Sequence, residues 1–191
     1  MARTTLPQRA AAAVGESELA ERLARAQEAV YGPLIDRVRR SPLHTDALGH
    51  SMHPPLTDVT TGCWLGASLL DLTGGAESRR AATLLTGFGL LASVPTALAG
   101  AADWAEVGGV QRRVGAVHAV ATDAATFLFL GSLVARLRGG HGRGGRLALA
   151  GNLVMVAGGF LGGHLALRHG TARRDPPDAD DRGAGTTETP R

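Results

Sequence analysis

The sequence predicts an all-α integral membrane protein: a four-helix bundle with an N-terminal amphipathic helix and a disordered polar tail. Two observations predict this fold. Four long apolar segments follow one another along the chain, and short connectors rich in Gly and Arg separate them. A soluble bundle would show polar outer faces at helical spacing, whereas a segment such as AATLLTGFGLLASVPTALAGAA offers only Thr and Ser. We therefore expect an N-terminal region at 1–44, a transmembrane domain at 45–170 and the tail at 171–191.

The N-terminal region contains the predicted amphipathic helix. Residues 1–16 are expected to be disordered. From Ser17 to Tyr31 apolar residues recur at helical spacing, Ser17 is a suitable N-cap, and Gly32-Pro33 is expected to end the helix. The amphipathic stretch LIDRVRR follows. These stretches suit a membrane surface or a packing site on the rest of the protein, and we favour packing.

The four apolar segments are predicted at about Pro54–Thr73, Ala81–Trp104, Val114–Leu137 and Leu147–Leu167. Each is long enough to cross a bilayer core at ~1.5 Å per residue. The N-terminus has no apolar signal sequence, so internal segments are expected to direct insertion. Four crossings place both termini on one side of the membrane, and the distribution of Arg predicts that this side is cytoplasmic.

Histidines supply the candidate site. The predicted topology brings six of the seven histidines to the membrane face that carries the termini. His118 is expected about one turn inside the third segment and His164 about one turn from the end of the fourth. Imidazole is a common axial ligand of haem iron and also binds Zn, Cu and Fe. The haem or metal ligand candidates are His50, His53, His118, His164 and His169.

Acidic and basic side chains at the same level suggest supporting roles. A carboxylate could accept the second ring N–H of a ligating histidine, for which the candidates are Asp58, Asp103 and Asp123. Haem propionates or lipid headgroups could pair with Arg112, Arg113 and Arg168. The alternatives are hydrogen-bonded histidines without a cofactor, and Asp71 and Asp123 as polar contacts between helices.

Other residue types limit the possible functions. Cys63 is the only cysteine, which excludes a disulfide framework and cysteine-based zinc or iron–sulfur sites. Aromatic residues that could stack on bases are missing from the basic segments, so we expect no nucleic-acid partner. The fourth segment contains overlapping GxxxG patterns, which favour close helix packing or a flat macrocycle as neighbour; the glycines are Gly158, Gly159, Gly162 and Gly163.

The chain resembles domain-of-unknown-function family 2231, which comprises bacterial membrane proteins predicted to have four helices. The resemblance lies in GHSMHPPLTDVTTGCWLGASLLDLTGG, GLLASVPTALAGAADW, RRVGAVHAVATDAATFLFLGSLVAR and AGGFLGGHLALRHG, and covers about residues 45–170. It implies a multi-pass protein of the bacterial inner membrane. Some relatives are fused to a Rieske-type ferredoxin domain, which implies electron transfer. The family often has Pro after the first histidine, where this chain has Ser51.

Two functions are consistent with these features. The first is a subunit that binds haem b or a metal and exchanges electrons with a quinone or a ferredoxin-type partner. The second is a membrane scaffold or partner subunit without a cofactor, in which hydrogen bonds satisfy the histidines. A transporter is less favoured, because four helices make a small pathway and no inverted repeat is visible. Homo-oligomerisation is left open.

Overall fold

The computed structural model describes residues 5–45 and 48–172. These residues form six α-helices and one short 3-10 turn (Ala76–Ser78), without any β-strand in the described part of the chain. The helices are α1 (Leu6–Gly15), α2 (Glu18–Val38), α3 (His53–Thr73), α4 (Arg79–Trp104), α5 (Gly109–Leu137) and α6 (His141–Arg168). The predicted disordered tail lies outside the described residues, except for residues 171 and 172.

The first helix, α1, corrects the expectation of disorder for most of residues 1–16, of which residues 1–4 lie outside the described part of the chain. The side chain of Gln8 accepts a hydrogen bond from the backbone N–H of Thr5 at 2.9 Å, which closes the first turn. Ala11 is buried, and Gly15 lies against Val110 at the start of α5. A short apolar face that packs on α5 therefore orders a segment for which the sequence alone predicted no helix.

The second helix, α2, begins as predicted but does not end where predicted. The Ser17 side chain accepts a hydrogen bond from the Ala20 backbone N–H at 3.4 Å, as expected of an N-cap. The helix continues through Pro33 to Val38, so the predicted end at Gly32-Pro33 is wrong. Proline inside a helix costs ~3 kcal/mol. Burial of Ile35 and Val38 against the rest of the protein offsets this cost.

The helices α3 to α6 form two antiparallel hairpins, α3–α4 and α5–α6. The predicted bounds of the first two apolar segments are close to those of α3 and α4. In contrast, α5 begins at Gly109 rather than Val114, and α6 begins at His141 rather than Leu147. The Gly-rich stretch before Leu147 is helical because Gly144 fits closely against Arg136 of α5.

Three helices, α4, α5 and α6, are long and apolar enough to cross a membrane. They match three of the four predicted crossings. Helix α3 is less apolar, since it carries Asp58, Asp71 and four threonines.

The two hairpins pack through α4 against α5 and through α3 against α6, and side chains of α3 and α5 also meet across the diagonal of the bundle, which we call the seam. In the middle of the seam the rings of Trp64 and Phe129 stack, with centroids 4.1 Å apart and planes 9° from parallel. Both side chains are fully buried. This aromatic pair fills the centre of the bundle and joins α3 to α5 across its diagonal.

A buried ion pair joins the same two helices one to two turns further on. The Arg136 guanidinium donates to Asp71 Oδ1 at 2.9 Å and also contacts Oδ2. Its Nε donates to Ser132 Oγ at 3.1 Å, and that hydroxyl donates to the Gly144 carbonyl of α6 at 2.7 Å. The prediction that Asp71 makes a polar contact between helices is confirmed.

The third seam contact is between His53 and His118, near the opposite end of the bundle. In each contact the order along α3 matches the order along α5. The two helices therefore run in the same direction, as two up-down hairpins require.

The ion pair generates a stability prediction. Arg136→Ala leaves the Asp71 carboxylate buried without its partner, which should destabilise the protein by about 3–5 kcal/mol. Thermal unfolding of the detergent-solubilised protein, followed by circular dichroism, measures the effect. Arg138→Ala is the matched control because Arg138 is exposed two residues away. Equal melting temperatures for the two variants would contradict the prediction.

Candidate functional site

A cavity of about 520 Å³ lies between the two hairpins at the end of the seam that holds the histidines. Its walls come from α3, α4, α5 and α6, and α2 contributes the roof through residues that include Gln27 and Tyr31. Most of the lining is apolar, with His53 and His118 among its polar groups. An apolar cavity with a few convergent polar groups is the usual form of a ligand site.

Each of these two histidines is fixed by a hydrogen bond to the second helix of its own hairpin. His53 Nδ1 donates to the Thr96 carbonyl of α4 at 2.9 Å, and His118 Nδ1 donates to the Gly158 carbonyl of α6 at 2.8 Å. A carbonyl oxygen only accepts, so Nδ1 carries the proton in both rings. In the neutral imidazole this leaves Nε2 with its lone pair, which is the form that binds a metal.

Glycines make these hydrogen bonds possible. The His53 ring lies on Gly100 and the His118 ring lies on Gly162, and neither position has room for a Cβ atom. The two ring centroids are 6.2 Å apart and their planes are 87° from parallel. The predicted GxxxG packing is confirmed for Gly158 and Gly162, which both face α5.

The depth of His118 differs from the prediction. Because α5 begins at Gly109, His118 lies roughly two and a half turns inside the helix rather than one. The helix extends beyond the apolar segment because its basic first turn pairs with acidic residues of α2. This depth brings the ring level with His53, which sits in the first turn of α3.

The other three candidate histidines do not line the cavity. His50 is exposed and its Nδ1 donates to the Ser51 carbonyl at 2.9 Å. His164 and His169 contact each other, with ring centroids 5.3 Å apart. Within residues 5–45 and 48–172, no group of three or more His, Cys, Asp or Glu side chains is arranged to hold a metal ion.

The three candidate aspartates all line the cavity. None is the hydrogen-bond acceptor of the His53 or His118 Nδ1, because backbone carbonyls take that role. Asp103 instead accepts a hydrogen bond from the Ser51 hydroxyl. The Oγ atom of Ser51 in turn accepts a hydrogen bond from the His53 backbone N–H at 3.0 Å. Sequence reasoning missed this function of Ser51, which is buried at the start of α3.

Two of the three candidate arginines already have partners. Arg112 donates to Glu21 at 3.0 Å and also contacts Glu28, while Arg113 lies 3.3 Å from Glu21. These ion pairs attach α2 to the start of α5. Arg168 is exposed in the last turn of α6.

Helix α2 is the part of the site that the sequence did not indicate. Gln27 Nε2 donates to the Ala116 carbonyl of α5 at 3.2 Å and helps to hold α2 over the cavity. The Arg113 guanidinium beside Glu21 holds the pKa of that carboxyl below its ordinary value, and Arg112 adds to the effect. The only advance signal was the amphipathic pattern of α2, which does not specify where the apolar face packs.

Comparison with known proteins identifies the family of this chain. Residues 49–175 match a family model described as a predicted membrane protein, DUF2231. No curated protein and no solved structure matches the chain.

The glycine contacts generate a paired prediction. Gly162→Ala places a methyl group against the His118 ring and should destabilise the protein by about 1–3 kcal/mol. Gly159→Ala is the matched control on the same helix, because nothing lies within 4 Å of an added Cβ there. Alanine should be neutral or stabilising by up to about 1 kcal/mol at position 159. Thermal unfolding in detergent measures both, and an equal loss in the two variants would contradict the close approach of the ring.

The lowered pKa of Glu21 generates a pH prediction. The contribution of its ion pairs is complete above the ordinary glutamate pKa of about 4.3 and is lost as the pH falls through the lower value in the folded protein. We therefore expect α2 to become more sensitive to pepsin below about pH 4. Glu21→Gln should remove most of this pH dependence, whereas the exposed Glu18→Gln should keep it. Identical profiles for wild type and Glu21→Gln would refute the role of Glu21.

Proposed function

The chain belongs to DUF2231, a family of predicted membrane proteins, and on this premise we propose that it binds haem b between His53 and His118 and transfers electrons. The observation that carries the proposal is the pair of imidazoles on one apolar cavity, each with its Nδ1–H committed to a backbone carbonyl. Both Nε2 atoms are then free to serve as ligands.

The number of protein ligands favours haem over a bare metal ion. A structural zinc site takes four protein ligands. The described residues offer no group of three suitable side chains. Haem brings four equatorial nitrogens of its own and needs at most two axial ligands from the protein. A pair of histidines therefore suffices for haem.

The separation of the rings supports the same conclusion. The centroids of the His53 and His118 rings are 6.2 Å apart. Metal–imidazole bonds are about 2.0–2.1 Å long, so the two rings are close enough that both could contribute a nitrogen to one haem iron.

The surroundings suit a one-electron cofactor. A haem held by both His53 and His118 would supply one-electron chemistry. The apolar wall of the cavity limits access of water, which is a means of tuning the reduction potential. A quinone in the bilayer or a ferredoxin-type protein would be the redox partner.

We also propose that α3 crosses the membrane together with α4, α5 and α6. Its seam with α5 extends from the histidines to the ion pair, which spans most of the length of the bundle. Four crossings place the cavity near the face that carries both termini, and the distribution of Arg favours the cytoplasm for that face of a bacterial inner membrane.

A scaffold without a cofactor is the second candidate, and one observation favours it. The hydrogen bonds from His53 and His118 to backbone carbonyls also satisfy the rings in the absence of any ligand. A polar group satisfied inside the bundle has a structural use of its own, because it joins neighbouring helices. This candidate predicts a colourless protein that contains no metal.

The two candidates differ in their optical spectra. We expect the full chain, purified in detergent with haem supplied during expression, to show the Soret and α bands of low-spin haem. His53→Ala and His118→Ala should each remove the low-spin spectrum. His141→Ala and His164→Ala are controls that should keep it, since neither residue lines the cavity. A colourless wild-type protein, with no metal by elemental analysis, would refute haem binding and favour the scaffold.

A further inference from the structure

The two hairpins are related by an internal repeat. HPPLTDVTTGCWLG begins at His53 and HAVATDAATFLFLG begins at His118, an offset of 65 residues (118 − 53). At this offset the two stretches share one His, two Thr, one Asp, one Leu and one Gly. The first shared threonines even form the same hydrogen bond: Thr57 donates to the His53 carbonyl at 2.9 Å, and Thr122 donates to the His118 carbonyl at 3.1 Å.

The second helices of the hairpins repeat as well. Gly100 and Gly162 are 62 residues apart (162 − 100), and each receives the imidazole of its own hairpin. Gly89 and Gly151 have the same offset (151 − 89), and they lie under Trp64 and Phe129 respectively. Because α3 and α5 run in the same direction, the repeat relates the hairpins by a pseudo-two-fold axis along the bundle. The histidine cavity lies on that axis.

One pair of residues in the repeat, Asp58 and Asp123, forms no ion pair within the described part of the chain. Asp58 and Asp123 occupy equivalent positions, five residues after the two histidines, and both line the cavity. No ion pair to either carboxylate exists in the part of the chain that the structure describes. Asp71, in contrast, is neutralised by Arg136. Both side chains are exposed. A carboxylate within a helix that crosses a membrane, as we propose for α3 and as the length of α5 permits, is costly and usually faces a functional partner.

We propose that Asp58 and Asp123 are an equivalent pair of charge-compensating residues that set the reduction potential of the haem. This inference rests on the proposed function. Both axial imidazoles are neutral, so the ferric haem core carries one positive charge that reduction removes. Negative charge on these two carboxylates at the wall of the cavity would stabilise the ferric form relative to the ferrous form. The repeat places the two carboxylates on opposite sides of the axis, so their effects should be alike.

The experiment is a redox titration of the haem-loaded full chain in detergent at neutral pH. Asp58→Asn and Asp123→Asn should each raise the equilibrium constant for one-electron reduction about tenfold, an upward shift of about 59 mV. The double variant should shift by about the sum. Asp36→Asn is the matched control, because Asp36 is exposed on α2 and does not line the cavity.

Charge-conserving variants separate the electrostatic role from a structural one. Asp58→Glu and Asp123→Glu should keep a potential close to that of the wild type. Unchanged potentials in the Asn variants would overturn this inference and leave haem binding intact. Equal shifts in Glu and Asn variants, or haem loss confined to the Asn variants, would also overturn it by assigning the residues a structural role. A wild-type protein without haem would instead refute the proposed function itself.

Discussion

The diagonal seam between α3 and α5 is the constraint on which the rest of the structure depends. Neither helix follows the other in the chain, so nothing local brings them together. The stacked rings of Trp64 and Phe129 and the ion pair of Asp71 with Arg136 fix their separation and register. In a bilayer, where lipid offers no hydrophobic drive for helix association, close packing and polar contacts of this kind must supply the specificity.

The same seam creates the cavity. The stacked rings fill the middle of the seam, and the ion pair with its hydrogen bond to Ser132 fills the far end, so no space remains between the hairpins at either place. At the remaining level each side chain is an imidazole that lies back on a glycine of the neighbouring helix, which leaves space between the hairpins. Gly100 and its equivalent Gly162 therefore shape this space as well as the packing of the helices. Helix α2 then covers the space, held by acidic residues that pair with Arg112.

The internal repeat connects these features. Two copies of the hairpin around the pseudo-two-fold axis bring one imidazole from each copy to the same cavity. The copies have also diverged: where the first half has Asp71 the second has Arg136, and this exchange turns a repulsive pair into an attractive one. The two halves therefore differ at the ion pair, where Asp71 corresponds to Arg136, and are identical at the cavity, where His53 corresponds to His118.

The sequence by itself determined the helical class, the family and the three most apolar crossings, because hydropathy and helix length are local properties. It also named His118, because an ionisable residue in an apolar segment stands out, and His53, because it adjoins the first apolar segment, although it did not separate them from the other candidate histidines. Only the tertiary structure decided which two histidines line the cavity, because that depends on helix register across the seam. It also decided that α2 passes through Pro33 and covers the cavity. Burial of Ile35 against distant helices outweighs the local preference of proline to end a helix, and such long-range contacts leave no local mark in the chain.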